Sequence, residues 1–82
     1  MKTIVIKEDF AFVYFTVSFY NVDDIVDTLK IYSEFLNGSV VRIGKYFVAK
    51  LERVDDEVSL EVLSREFSNY VLSKGYGVKN EF

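Results

Sequence analysis

The hydrophobic and polar positions of this chain fall into six stretches, and the second is the most distinctive. Phe10 to Tyr20 runs eleven residues without a glycine, a proline or a charge. Such a run of aromatic and β-branched residues predicts a long strand. Read at period two, Ala11, Val13, Phe15, Val17 and Phe19 form one wholly apolar face, which must be core. Phe10, Phe12, Tyr14, Thr16, Ser18 and Tyr20 form the other, aromatic but partly hydroxylated. That second face is too apolar for an ordinary solvent face and too polar for deep core.

The remaining stretches give the other elements. Lys2 to Lys7, rich in Ile and Val, predicts a short strand. The polar break Lys7-Glu8-Asp9 suits a short turn, so the first two strands should form a hairpin. Lysines at both ends of the first strand suit an edge, where charge discourages stray pairing. Asn21 suits a helix cap, and Asp23, Asp24 and Asp27 suit the positive end of the helix dipole. Val22, Ile25, Val26, Leu29, Tyr32, Phe35 and Leu36 keep the three-and-four spacing of one buried stripe. Asn37 and Gly38 then fit a left-handed exit from that helix.

Ser39 to Ile43 and Tyr46 to Val54 read as two strands around the turn pair Gly44-Lys45. A two-residue loop puts Val41, Ile43, Tyr46 and Val48 on one face. It puts Val40, Arg42, Phe47, Ala49 and Leu51 on the other, and one more loop residue would scramble both sets. Asp55-Asp56-Glu57 is an acidic turn into a last helix over Val58–Lys74. That helix carries the stripe Leu60, Leu63, Phe67, Tyr70 and Val71 and ends at a Gly75 cap. Tyr76 to Phe82 has no periodicity and reads as a flexible tail after a single domain over 1–75.

The order strand, strand, helix, strand, strand, helix predicts an α+β fold of two β-β-α units. A four-stranded antiparallel sheet carries two helices on one face. Two helices cannot cover both faces, so one sheet face stays open. Phe10, Phe12, Tyr14, Thr16, Ser18 and Tyr20 are the residues expected on it, and apolar patches of this kind mark interaction sites.

Composition narrows the chemistry. The 82 residues contain no Cys and no His. Disulfides, thiolate-held zinc or iron–sulfur and thiol catalysis are therefore excluded. The commonest general base is missing as well. Lysines and carboxylates show no spacing that picks out a catalytic pair, so no enzyme activity and no cofactor are expected. Asp23, Asp24 and Asp27 lack the spaced oxygens and central glycine of a calcium loop. Arg42, Lys45, Lys50 and Arg53 gather on the second hairpin beside aromatics, as single-strand nucleic-acid platforms do. A net charge of -3 argues against that use. Lys7 interrupts the N-terminal apolar run after three residues, unlike a signal peptide, and no window approaches a membrane span. A cytoplasmic location is the expectation.

Two segments carry a family resemblance, Leu29-Lys-Ile-Tyr-Ser-Glu-Phe35 and Glu66-Phe-Ser-Asn-Tyr-Val-Leu-Ser-Lys74. Together with the element order they resemble the small D protein of the His-Xaa-Ser radical-SAM peptide-modification system. Phe67, Ser68, Asn69, Tyr70 and Leu72 stand where that family has its helix signature. Ser68 departs from the family's Asn there, and Ser73 and Lys74 replace its Arg-Glu. The resemblance spans Phe10 to Lys74 and implies a non-catalytic accessory role: helping a radical-SAM maturase handle a ribosomally made precursor peptide. Any iron–sulfur cluster would belong to the partner enzyme. Tyr70 and Lys74, at the end of the last helix, are the further partner-binding candidates. A self-associating interaction protein, a homodimer through the open sheet face, is the alternative.

Overall fold

The computed structural model describes residues 2–79. Its elements are β1 (Lys2–Lys7), β2 (Phe10–Thr16), α1 (Val22–Ile31), β3 (Leu36–Ile43), β4 (Tyr46–Arg53) and α2 (Leu60–Lys79). The strands form one antiparallel sheet in the order β1-β2-β4-β3. This is the α+β arrangement of two β-β-α units that the hydrophobic pattern predicts. The lysine-flanked β1 is an edge, and β3 is the other.

Both hairpins close through two-residue turns, Lys7 pairing with Phe10 and Ile43 with Tyr46. Tight hairpin turns need a positive φ at their first central residue to match strand twist. Gly44 supplies it at 59° without steric cost, while Glu8 adopts 54° against its own Cβ. The second hairpin therefore has the two-residue register, with Val41, Ile43, Tyr46 and Val48 on one face.

The seam between the two halves is β2 against β4, with Val13 opposite Ala49. On one side of it, Ala11, Val13, Phe15, Ala49 and Leu51 are fully buried beneath the helices. The ring of Phe15 meets Phe67 of α2 at 6.3 Å, and Phe67 meets Tyr32 at 6.1 Å. Phe67, Ile25, Leu36 and Val71 are buried in the same core, with Leu60 and Leu63. Close helix packing also uses small buried residues. Ser64 and Ser68 bury their hydroxyls by donating to the Leu60 and Arg65 carbonyls, and Thr28 donates to Asp24.

Several predicted boundaries move. β2 ends at Thr16, not Tyr20, because the chain must reverse to lay α1 on the sheet. The Phe19 and Tyr20 amides both donate to the Thr16 carbonyl in that reversal. Phe19 is thus 75 % exposed rather than core, and Val17 is only partly buried. Asn21 does cap α1, its Oδ1 accepting the Asp23 N–H at 2.9 Å. The helix, however, stops at Ile31, with Tyr32 as its C-terminal cap. Leu36 belongs to β3, because the eight residues of β4 present backbone groups that a longer β3 satisfies. Phe35 is exposed.

Gly38 lies inside β3 and does not cap α1. Its role is close approach. A Cβ there would sit 2.5 Å from Leu29 Cδ2 and 3.2 Å from the Lys50 carbonyl, so α1 lies directly against this backbone. The last helix begins at Leu60, after Ser59, whose Oγ accepts the Val62 N–H at 3.1 Å. It passes through Gly75 to Lys79, so Gly75 does not end it and residues 76–79 are helical. The rest of the predicted tail, 80–82, lies outside the described residues. Within the described residues, no helix is long and apolar enough to cross a membrane.

Candidate functional site

The site is the sheet face turned away from the helices, built in cross-strand rows. Val5, Phe12, Lys50 and Ser39 make one row, and Thr3, Tyr14, Val48 and Val41 the next. Thr16, Tyr46 and Ile43 extend it toward the Gly44 turn, while Lys7, Phe10, Glu52 and Asn37 close the opposite end. Because side chains alternate along a strand, the register that buries Val13 and Ala49 obliges these residues to share the other side.

Within this face the rings are partly held. Tyr14 and Tyr46 meet edge to face at 5.9 Å, and the Lys50 ammonium lies 4.2 Å from the centre of the Phe10 ring. Phe10, Phe12, Tyr14 and Thr16 are consequently half-buried among cross-strand neighbours. The most exposed apolar groups are instead Ile43 at 60 %, Val41 at 56 % and Tyr46 at 44 %. They adjoin half-buried Tyr14 and Val48, the latter buried by its cross-strand neighbours. A shallow depression of about 270 Å³, lined by Phe10, Asn37, Gly38, Ser39, Lys50 and Glu52, marks the polar end of the face.

Of the residues expected on the open face, Phe10, Phe12, Tyr14 and Thr16 are there. Ser18 and Tyr20 are not, because β2 ends first. Ser18 lies in the reversal, and Tyr20 turns under the sheet to pack on Phe15 at 4.9 Å between ring centres. Tyr70 and Lys74 sit in the helix layer, across the sheet from Phe12. Tyr70 meets Tyr32 edge to face at 5.9 Å, and Lys74 Nζ lies 3.9 Å from Asp27 Oδ2, so both touch α1 or its cap. The two-residue hairpin turn puts Val41, Ile43, Tyr46 and Val48 on one face. Only the β2–β4 register joins that face to Phe12 and Tyr14.

Among the described residues, burial raises the Tyr32 phenol above its ordinary value, helped by nearby Glu66 and Tyr70. It lies between the helices, in contact with Phe67. Three of the four basic residues of the second hairpin have partners within the chain. Arg42 donates to the Gly44 carbonyl and Arg53 to the Val58 carbonyl, at opposite ends of the sheet, while Lys50 is engaged with Phe10.

Comparison with family models, with curated proteins and with solved structures finds no match.

Proposed function

We propose that the protein is a non-catalytic binding module that works by covering its open sheet face with another protein chain. The observation that supports this is the contiguous strip of Val41, Ile43 and Tyr46 beside half-buried Tyr14 and Phe12. A chain this small gains nothing in stability from leaving its β-branched residues wet, and contiguous apolar patches mark interaction surfaces. The resemblance noted above supplies a context, the handling of a ribosomally made precursor peptide for a radical-SAM maturase.

Calorimetric titration of the chain with such a maturase and precursor tests the reading. The wild type should bind one of them with a dissociation constant of tens of micromolar or tighter, about -6 kcal/mol. The double variant Val41→Lys, Ile43→Lys should bind at least about tenfold more weakly while keeping its thermal midpoint, since exposed positions carry little stability. Equal binding by the variant would show that the partner sits elsewhere.

A further inference from the structure

We infer that two copies of this chain pair along the free edge of β1, joining their four-stranded sheets into one. The inference goes beyond the binding-face reading and leaves the open face uncovered. It starts from the phase of the hydrogen-bond ladder. A two-residue turn joins Lys7 to Phe10, which makes them a bonded pair, and bonded pairs recur at every second residue. Lys7, Val5 and Thr3 therefore turn their N–H and C=O groups toward β2. Lys2, Ile4 and Ile6 direct theirs away from it, to the edge of the sheet. Among the described residues, no backbone group outside the strand ladder meets Ile4 or Ile6.

Beside that edge is a recess of about 320 Å³, lined by Ile4 and Ile6 of β1 and by Glu61 and Arg65 of α2. Ile6 is 40 % exposed and Val5 38 %. Neither Glu61 nor Arg65 has an ion-pair partner among the described residues. α2 follows β4, which runs parallel to β1, so α2 returns antiparallel to β1. The ring contact of Phe67 with Phe15, the residue opposite Lys2, fixes that direction. Glu61 accordingly stands toward Ile6 and Arg65 toward Ile4. α2 packs on β2 as well as β1 and so stands back from the edge. At the other edge α1 lies directly on β3, with Leu29 against Gly38. Two copies joined there would crowd their α1 helices, because paired strands lie about 4.8 Å apart and packed helices about 8–10 Å.

A two-fold interface must be self-complementary, because the same patch serves both copies. A two-fold axis through Val5, normal to the sheet, meets that demand. It sets Ile4 opposite the partner's Ile6, and each such pair exchanges both backbone bonds. Val5 meets the partner's Val5 on the open side, and Lys7 falls opposite the partner's Thr3, not opposite another lysine. In the helix layer, exchange of the Ile4 and Ile6 rows carries Glu61 of one copy across from the partner's Arg65, and Arg65 across from the partner's Glu61. An axis at Ile4 would oppose arginine to arginine and set Ile6 against the partner's Lys2. An axis at Ile6 would oppose Glu61 to the partner's Glu61. An axis between two residues would pair outward-facing backbone groups with inward-facing ones. Ladder phase, apolar rows and charge thus select one register.

Sedimentation velocity from about 5 μM to about 1 mM follows the association through mass action. The wild type should pass from monomer to dimer across that range, and Val41→Lys, Ile43→Lys should leave the dimer within about twofold of it. Ile6→Pro removes an N–H that β2 does not use, so it should weaken the dimer at least about tenfold while the circular dichroism spectrum is kept. Glu61→Arg and Arg65→Glu should each weaken it about fivefold, and the two together should restore it to within about twofold. Glu34→Arg makes the same change of charge on an exposed residue between α1 and β3 and should have no effect. The chain has no cysteine, so introduced ones report the axis. Unbonded cross-strand pairs hold their Cα atoms about 4.5 Å apart, within disulfide reach. Mild oxidation should therefore link Val5→Cys at least about tenfold faster than Thr3→Cys, whose two copies stand about 13 Å apart along the strands. A wild-type monomer at about 1 mM would overturn the inference. So would a dimer that Val41→Lys, Ile43→Lys breaks and Ile6→Pro does not, which would place the second copy on the open face. Equal linking of the two cysteine variants, or charge variants without mutual rescue, would overturn the Val5 axis.

Discussion

The two faces of β2 are made by one seven-residue strand and have opposite fates. Ala11, Val13 and Phe15 are wholly buried under the helices. Phe10, Phe12, Tyr14 and Thr16 alternate with them and are covered only by their neighbours in the sheet. Hydrophobicity does not separate the two sets, since Phe12 is more apolar than Ala11. What separates them is the presence of α1 and α2 on one side only. The exposed apolar residues of the uncovered side, Val41, Ile43 and Tyr46, therefore contribute little to folding and are available for something else.

The largest expected effect tests that division directly. Phe67→Ala should cost about 3–5 kcal/mol, by lost burial plus a cavity beside Phe15 and Tyr32. Tyr14→Ser, on the open side of the same seam, should cost less than about 1.5 kcal/mol. Chemical denaturation of both variants compares them, and equal losses would show that the open face is core. A smaller effect concerns how closely the covered side is packed. Gly38→Ala should lose about 1–3 kcal/mol, because Leu51 is fully buried and the Lys50 backbone cannot yield. Combining it with Leu29→Ala should recover part of that loss in a double-mutant cycle. Strict additivity would mean that α1 does not press on β3.

The smallest effect appears only in alkali. The Tyr32 phenol titrates higher in the folded chain than in the unfolded one. Below about pH 10 both states keep the proton, and stability does not respond to this group. Above that, the unfolded chain releases its proton first, so stability falls until the folded phenol ionises too. Tyr32→Phe should flatten this part of the stability–pH curve, and an unchanged slope would place the coupling elsewhere.

Much of this arrangement is legible from residue order. The run after Asp9, the Gly44-Lys45 turn, the Asn21 cap and the two helical stripes give four strands, two helices and one open face. The limits of α1 and β2 are not legible. Leu36 satisfies a helical stripe and a strand equally well, and only the length of β4 decides for the strand. Gly38 and Gly75 both look like helix ends. One is a point of close approach and the other lies inside α2, and each depends on contacts distant in sequence. Ser64 and Ser68 carry no hydrophobic signal, yet they are buried because α2 lies close to its neighbours. The exposed strip of Val41, Ile43 and Tyr46 joins the site only through the β2–β4 pairing, which local pattern does not reveal. Glu8 shows no sign of its left-handed backbone, since the residue that would advertise it, glycine, is absent.

The stiffness of the open face has a consequence for how fast and how tightly anything settles on it. Val5, Val41, Ile43 and Val48 are branched at Cβ and have few rotamers to lose. The rings of Phe12 and Tyr14 are already confined by their neighbours across the strands. A docking chain therefore freezes little motion on this side, where ordering a flexible side chain costs about 0.5–1.5 kcal/mol each. The face is prepared for contact before contact occurs, and a modest area can support recognition that a looser surface of equal size could not.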